Sequence, residues 1–497
     1  MSKEKSYRQI LRSTSIIGGA SIINVLTGLL RIKVAAVLLG PTGVGLIGLF
    51  NNLVAAASTI AALGINTVGT KQIAEAVSQN NNRNLLVTRR ALFWGGVALA
   101  VAGTSIFWLL RDLIAVHILK DRSKSGSLGW LALGVGLTVL SVSQQSLLNG
   151  LRKINHLALV TIYTAIISTL VSVTALLIWN EAGLLAFVLI VPASRYIIGY
   201  YFVAKVNLVN FKISFKEVND NFICMARMGA AFMVAGLAAS ISQLLVRSLV
   251  QRELGIEALG HFEASWLISM TYVGFVLGAM GTDFYPRLTL AINDHESANR
   301  LINEQTEVAL LLAAPVFLAM LGLAPWIIEL LYSKQFENAV QVLRWQILGD
   351  ILKLISWPLG FVLLATGDGR KFIISEFFAA SIFVLCVWLG LSYLGLISTG
   401  IGFLIMYLSY LPVVYWIAFK KTGFKWTKIV KYQIGTVILL CIIIVTCAQI
   451  NLVFAASLSV LCSLSMGLYA IVHFSHLEMQ KMAFLEKIKA LLERIRF

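Results

Sequence analysis

Apolar runs of about twenty residues recur along almost the whole chain, parted by short polar breaks in which lysine and arginine cluster. A helix needs about 20 predominantly apolar residues to cross the hydrocarbon of a bilayer. That ruler predicts fourteen membrane helices, over 14–39, 43–68, 90–110, 128–149, 157–179, 182–206, 228–253, 264–283, 306–331, 340–365, 372–394, 396–419, 433–450 and 452–473. The expected fold class is all-α, a polytopic membrane protein, because the bilayer core offers backbone amides no water and a helix satisfies them internally. After the last span, Leu477, Phe484, Leu485, Ile488, Leu491, Leu492 and Ile495 recur at helical spacing. They predict an amphipathic tail helix over 474–497, suited either to the cytoplasmic membrane surface or to a docking partner.

Composition sharpens the picture. Of 497 residues, 58% are hydrophobic and 13% charged, with a mean hydropathy of +0.85, far more apolar surface than a soluble domain needs. A net charge of +17 could point to nucleic acid, but the basic residues are spread in short clusters between apolar runs. No nucleic-acid partner is expected; the distribution is the one membrane topology produces. Basic residues crowd the N-terminal stretch and alternate loops, among them Lys71, Arg83, Arg89, Arg90, Arg152, Lys153, Lys212, Arg300, Arg370 and Lys371. The opposite loops hold few, the loop over 111–127 being the exception. This asymmetry predicts both termini in the cytoplasm and, with no Asn-x-Ser/Thr sequon present, fits a bacterial inner membrane. The first apolar run contains Asn24 and continues through Arg31 and Lys33 to Leu39, as an uncleaved span would. The five cysteines lie mostly in apolar segments and read as small buried hydrophobes, so no disulfide, metal or cofactor is expected.

Two short patterns recur. LGPTGVG (39–45) joins spans 1 and 2, and LGIEALG (254–260) joins spans 7 and 8, an offset of 215 residues; GLRK (150–153) and DGRK (368–371) close spans 4 and 10 at an offset of 218. Either these are chance glycine turns or they mark two parallel six-helix halves, the architecture of transporters with the substrate site between halves. The second reading divides the chain into an N-terminal lobe (1–206), a cytoplasmic linker (207–227), a C-terminal lobe (228–419), two further helices (420–473) and the tail helix (474–497).

Charges inside the spans carry the candidate chemistry, since each costs roughly 2.5–3.5 kcal/mol at mid-membrane. They are Arg31 and Lys33 in span 1, Arg195 in span 6, Arg247 in span 7, and Arg344, Asp350 and Lys353 in span 10, with Glu376 nearer a span end. The excess is basic, which points to a solvated, anion-attracting cavity. Asp350 and Lys353, three apart on one face, either serve that cavity or neutralise each other. Arg31 and Lys33 differ by roughly 200° of helical rotation, so only one of them can face it. Asn24, Gln144, Thr164 and Ser168 are candidate polar contacts for sugar, although such residues more commonly bond helix to helix. Catalysis finds no support: the stretch from Gly64 to Lys71 mimics a phosphate loop with its last two residues reversed and no preceding strand, and the outer loops are short. The chain is not expected to be an enzyme.

WQILGDILKLISWPLGFVLLATGDGRKFIISE (345–376) and LGPTGVGLIGLFNNL (39–53) resemble the Wzx-type flippases, which move lipid-linked O-antigen or enterobacterial common antigen units during lipopolysaccharide and related polysaccharide biosynthesis. The likeness spans about residues 10 to 425 and is strongest around Trp345, Gln346, Gly349, Asp350 and Lys353. It implies membership of the superfamily of multidrug extruders and lipid II flippases, with their two six-helix lobes. It also implies an undecaprenyl-diphosphate-linked oligosaccharide as cargo, with membrane lipids and other polysaccharide assembly proteins as partners. Arg31, Lys33, Arg195, Arg247, Arg344 and Lys353 would then receive the diphosphate in a central cavity, and Asp350 and Glu376 would act as coupling groups or charge partners. An ion-coupled multidrug extruder on the same fold is the alternative.

Overall fold

The computed structural model describes residues 3–206 and 212–494, and they form helices joined by short turns. In chain order these are α1 (Lys3–Ala61), α2 (Ile65–Ser78), α3 (Asn82–Ile114), α4 (Ser125–Gly150), α5 (Ile154–Trp179), α6 (Leu184–Ala204), α7 (Phe215–Ala291), α8 (His295–Leu331), α9 (Ala339–Ala365), α10 (Gly369–Leu394), α11 (Ile397–Thr422), α12 (Lys428–Ile450) and α13 (Leu452–Arg494). Among the described residues, ten stretches are long and apolar enough to cross a membrane. Two of them, Gly18–Ala61 and Ile154–Ala204, each take in a pair of the expected spans. The remaining pair lies in α7, on either side of Gly255. The outward surface is apolar, with Leu109, Trp130, Leu170 and Leu330 each more than 60% exposed, as lipid-facing residues are. The tail helix continues α13 to Arg494; the apolar face expected over 474–497 lies almost wholly outside the described side chains.

α1 and α7 are each two helices meeting at a corner, and both corners are the first glycine of the repeated pattern. Gly40 has φ 61° and ψ −165°, and Gly255 has φ 90° and ψ 174°. This backbone region is open essentially to glycine alone. At Gly40 the following Pro41 lacks an N–H and can open the next helix without losing a bond. The last glycines of the two patterns bring the corners together. A Cβ on Gly45 would collide with the Ile256 carbonyl and the Gly260 backbone, and one on Gly260 with the Pro41 carbonyl.

The chain forms two compact units. The first comprises Met1–Leu267, Ile328–Val342 and Ile373–Gly402; the second comprises Ile268–Ile327, Leu343–Phe372 and Phe403–Phe497. In the first, Ile65, Ile73, Leu85, Leu92, Leu147 and Met225 pack α2, α3 and α4 against the start of α7. In the second, Gly322 on α8 leaves room for Ser459 on α13, and His473 Nε2 reaches Glu307 Oε1 at 2.7 Å. The turn before α10 is pinned at its surface. Asp368 takes Lys371 at 2.8 Å and Lys421, at the end of α11, at 3.0 Å. Those hydrogen bonds, Lys371 first, hold the carboxyl down to about 2.

Two outcomes follow from this geometry. Gly260→Ala should destabilise the protein by about 1–3 kcal/mol through overpacking, read as a lower unfolding midpoint in detergent; an unchanged midpoint would remove the close approach of the corners. Because the folded Asp368 carboxyl titrates below its unfolded value, its stabilisation is complete above about pH 4 and lost as pH falls towards 2. The unfolding midpoints of wild type and Asp368→Asn should therefore differ at pH 6 and converge in acid, and the difference should shrink in high salt.

Candidate functional site

The basic residues of the spans go to distinct partners. Lys33, half-buried on α1, donates from Nζ to the carbonyl oxygens of Tyr332 at 2.5 Å and Glu329 at 3.1 Å. These carbonyls lie at the C-terminal end of α8, where oxygens lack intrahelical partners and the helix dipole is negative, so an ammonium suits them. Arg31 turns elsewhere, as the helical rotation between the two requires. Its guanidinium lies 5.1 Å from the centroid of Phe187 and near enough to Arg195 on α6 for the two positive charges to repel. Both arginines are half-buried, and among the described residues no carboxylate bonds to either.

Arg247 finds an acid that the sequence reading did not assign to it. Its Nε donates to Glu263 Oε1 at 2.5 Å and its Nη2 to Oε2 at 3.1 Å, a bidentate pair across the Gly255 corner. Nη1 adds the Gln243 carbonyl at 3.2 Å. The rings of Phe262 and Trp266 lie 5.4 and 5.5 Å from the guanidinium carbon, within cation–π range. Gly48 on the facing helix makes the room, since a Cβ there would strike the Glu263 carboxylate. Arg247 is only 4% exposed, so the pair is dry, and either partner alone would be a buried uncompensated charge.

In the second unit, α9 carries a buried polar row. Arg344 Nε donates to the Leu321 carbonyl at 3.1 Å, while its Nη2 has no partner among the described residues. Gln346 is fully buried, with neither amide atom bonded among the described residues. Asp350 Oδ2 accepts from Ser269 at 2.6 Å, and Oδ1 is left without a partner. Lys353 is near enough for Asp350 to feel its charge, and its Nζ lies 3.4 Å from the Met270 sulfur and 5.9 Å from the Tyr407 ring centroid. Buried polar atoms are nearly always satisfied in native proteins. Three side chains with unmatched atoms along one helix therefore mark a place where solvent, an ion or a ligand group can complete the bonding.

The other expected residues divide. Glu376 is half-buried on α10, and Asn24 is exposed on α1. Gln144 Oε1 and Thr164 Oγ1 are buried without partners, so both retain bonding capacity, whereas Ser168 donates to the Ala165 carbonyl of its own helix at 3.4 Å. Glu263 and Ser269 were missed from sequence. Glu263 lies beyond the LGIEALG corner, and reading that corner as a hairpin would have set it facing Arg247.

The profile of the family described as polysaccharide biosynthesis protein matches residues 34–341. The chain is 22% identical over 363 residues to the lipid III flippase of Escherichia coli strain K12, an alignment covering 72% of this chain and 85% of that protein. It shares the fold of an inward-facing multidrug resistance MATE family transporter of the MOP superfamily, with a TM-score of 0.68 at 17% identity, covering 82% of this chain and 98% of that one. It likewise shares the fold of the lipid II flippase MurJ in its inward closed conformation, with a TM-score of 0.63 at 13% identity, covering 93% of this chain and 98% of that one. With well over half its length inside the family profile, the chain belongs to the polysaccharide biosynthesis protein family.

Proposed function

We propose that this chain is a flippase, which carries an undecaprenyl-diphosphate-linked oligosaccharide from the cytoplasmic to the periplasmic leaflet of the bacterial inner membrane by alternating access. One observation carries the reading: Arg31 and Arg195 are both half-buried within the span region, Arg31 feels the positive charge of Arg195, and no carboxylate is bonded to either among the described residues. An anion near both guanidiniums would offset that repulsion, and a diphosphate would offer them charge-assisted bonds. A lipid III flippase among the sequence relatives and a lipid II flippase among the fold relatives are consistent with cargo of this chemistry. Gln144 and Thr164 would offer bonds to sugar, and the prenyl chain would stay in lipid.

In this reading residues 1–206 and 228–419 act as the two lobes, both termini are cytoplasmic, and no covalent chemistry is performed. Asp350, buried with one oxygen unbonded, is the candidate coupling group: gaining or losing a proton or cation there would change the stability of the packing around α9. The MATE neighbour supports drug extrusion on the same fold. The spans hold more basic than acidic groups, and this favours an anionic cargo over a cationic drug.

Arg31→Gln or Arg195→Gln should lower transport of the lipid-linked oligosaccharide by about ten- to a hundredfold, the loss of one bond to a charged group. The measurement is lipid-linked intermediate accumulating on the cytoplasmic face of a strain carrying only the variant, with protein levels matched; wild-type surface polysaccharide in both variants would end the proposal. Glu263→Gln should behave differently, destabilising the fold by about 3–5 kcal/mol because Arg247 is left buried and unpaired. Pairing it with Arg247→Gln should recover part of that loss in the unfolding midpoint.

A further inference from the structure

A cavity of about 440 Å³ opens between α3, α4 and α6. Its polar lining is Arg89, Arg90, Ser143, Gln144, Tyr196 and Tyr200; its apolar wall includes Leu86, Leu140, Leu147 and Val203. The arginines lie about two turns into α3, and Val203 and Ala204 close α6, so the cavity lies towards the helix ends that the loop cations mark. Topology alone explained Arg89 and Arg90 in the sequence, as loop-end cations. Yet both are half-buried, and among the described residues neither has an acid or carbonyl partner, whereas nearby Arg83 is paired with Glu217 at 2.9 Å. Gln144 Oε1, held against Gly199, is a second unmet group in the same wall.

From these observations we propose that the α3–α4–α6 cavity binds the headgroup of an anionic phospholipid, with Arg89 and Arg90 on the phosphate and Gln144, Tyr196 and Tyr200 on its polar oxygens. The apolar wall decides the ligand. A soluble phosphate would leave Leu86, Leu140 and Val203 unused, whereas a lipid lays its acyl chain along them and out past Phe93, Ile197 and Tyr201, which are exposed on the surrounding surface. Basic pockets between membrane helices are recurrent sites for such headgroups. The proposal needs only that the chain spans a membrane, and Gln144 is the one residue it shares with the proposed cargo contacts.

The full-length protein, purified in mild detergent, is offered phosphatidylglycerol or phosphatidylcholine, and the bound lipid is counted by native mass spectrometry. Wild type should retain phosphatidylglycerol preferentially, and Arg89→Gln combined with Arg90→Gln should weaken that retention by roughly tenfold or more. Arg83→Gln, which removes an equal charge nearby, should leave retention unchanged. Should the double variant lose its unfolding transition, the two single variants carry the test, each with part of the loss. Equal retention in the arginine variants and wild type would overturn the proposal. Displacement of the lipid by millimolar inorganic phosphate would overturn it in favour of a soluble anion.

Discussion

A charge held at bilayer depth has to be met by an opposite charge, by dipoles, by an aromatic face or by water, because the hydrocarbon around it offers none of these. This chain uses several of those answers. Arg247 is met by Glu263 in a dry bidentate pair, Lys33 by the terminal carbonyls of α8, and Arg344 by a single buried carbonyl. Arg31 is met by the face of Phe187, while Arg195 adds a like charge beside it. The compensated cations can serve structure as they stand. The electrostatics around Arg31 and Arg195 improve when an anion arrives, and for that reason these two anchor the functional reading.

Placement of the compensated cations depends on two corners. Gly40 and Gly255 each break their helix into two at a corner, and Lys33 and Arg247 each sit about two turns before their corner. Beyond the second corner comes Glu263, which can reach back to Arg247 because Gly48 presents no side chain to it. The tight contact of Gly45 and Gly260 with the opposite corner's backbone holds these parts in register. The glycines are therefore required at both levels, first by backbone conformation and then by close approach.

The α9 row shows a different economy. Arg344, Gln346 and Asp350 each leave a buried polar atom unmatched, and each such atom carries a desolvation penalty of about 1–3 kcal/mol. Concentrating that penalty on one helix is intelligible if the helix changes its bonding during a transport cycle, since groups already satisfied would resist rearrangement. Asp350, with Ser269 on one oxygen and nothing on the other, is the most changeable member of the row.

The all-helical membrane fold and most span limits were legible in the sequence, because twenty-residue apolar runs and clustered loop cations report the bilayer directly. The LGxxxxG corners were legible too, since positive-φ backbone leaves a glycine behind as its mark. The charged candidates could be named from their mere presence in apolar runs. Their partners could not: pairing joins residues such as Lys33 and Tyr332, about 300 positions apart, and no local pattern encodes which carbonyl or carboxylate a rotating helix will bring near. Only the tertiary structure decided that Arg247 is spoken for, that Arg31 lies beside Arg195, and that Arg89 and Arg90 line a cavity instead of merely marking a loop. Burial and pairing are properties of the packed whole, and a periodicity along the chain carries neither.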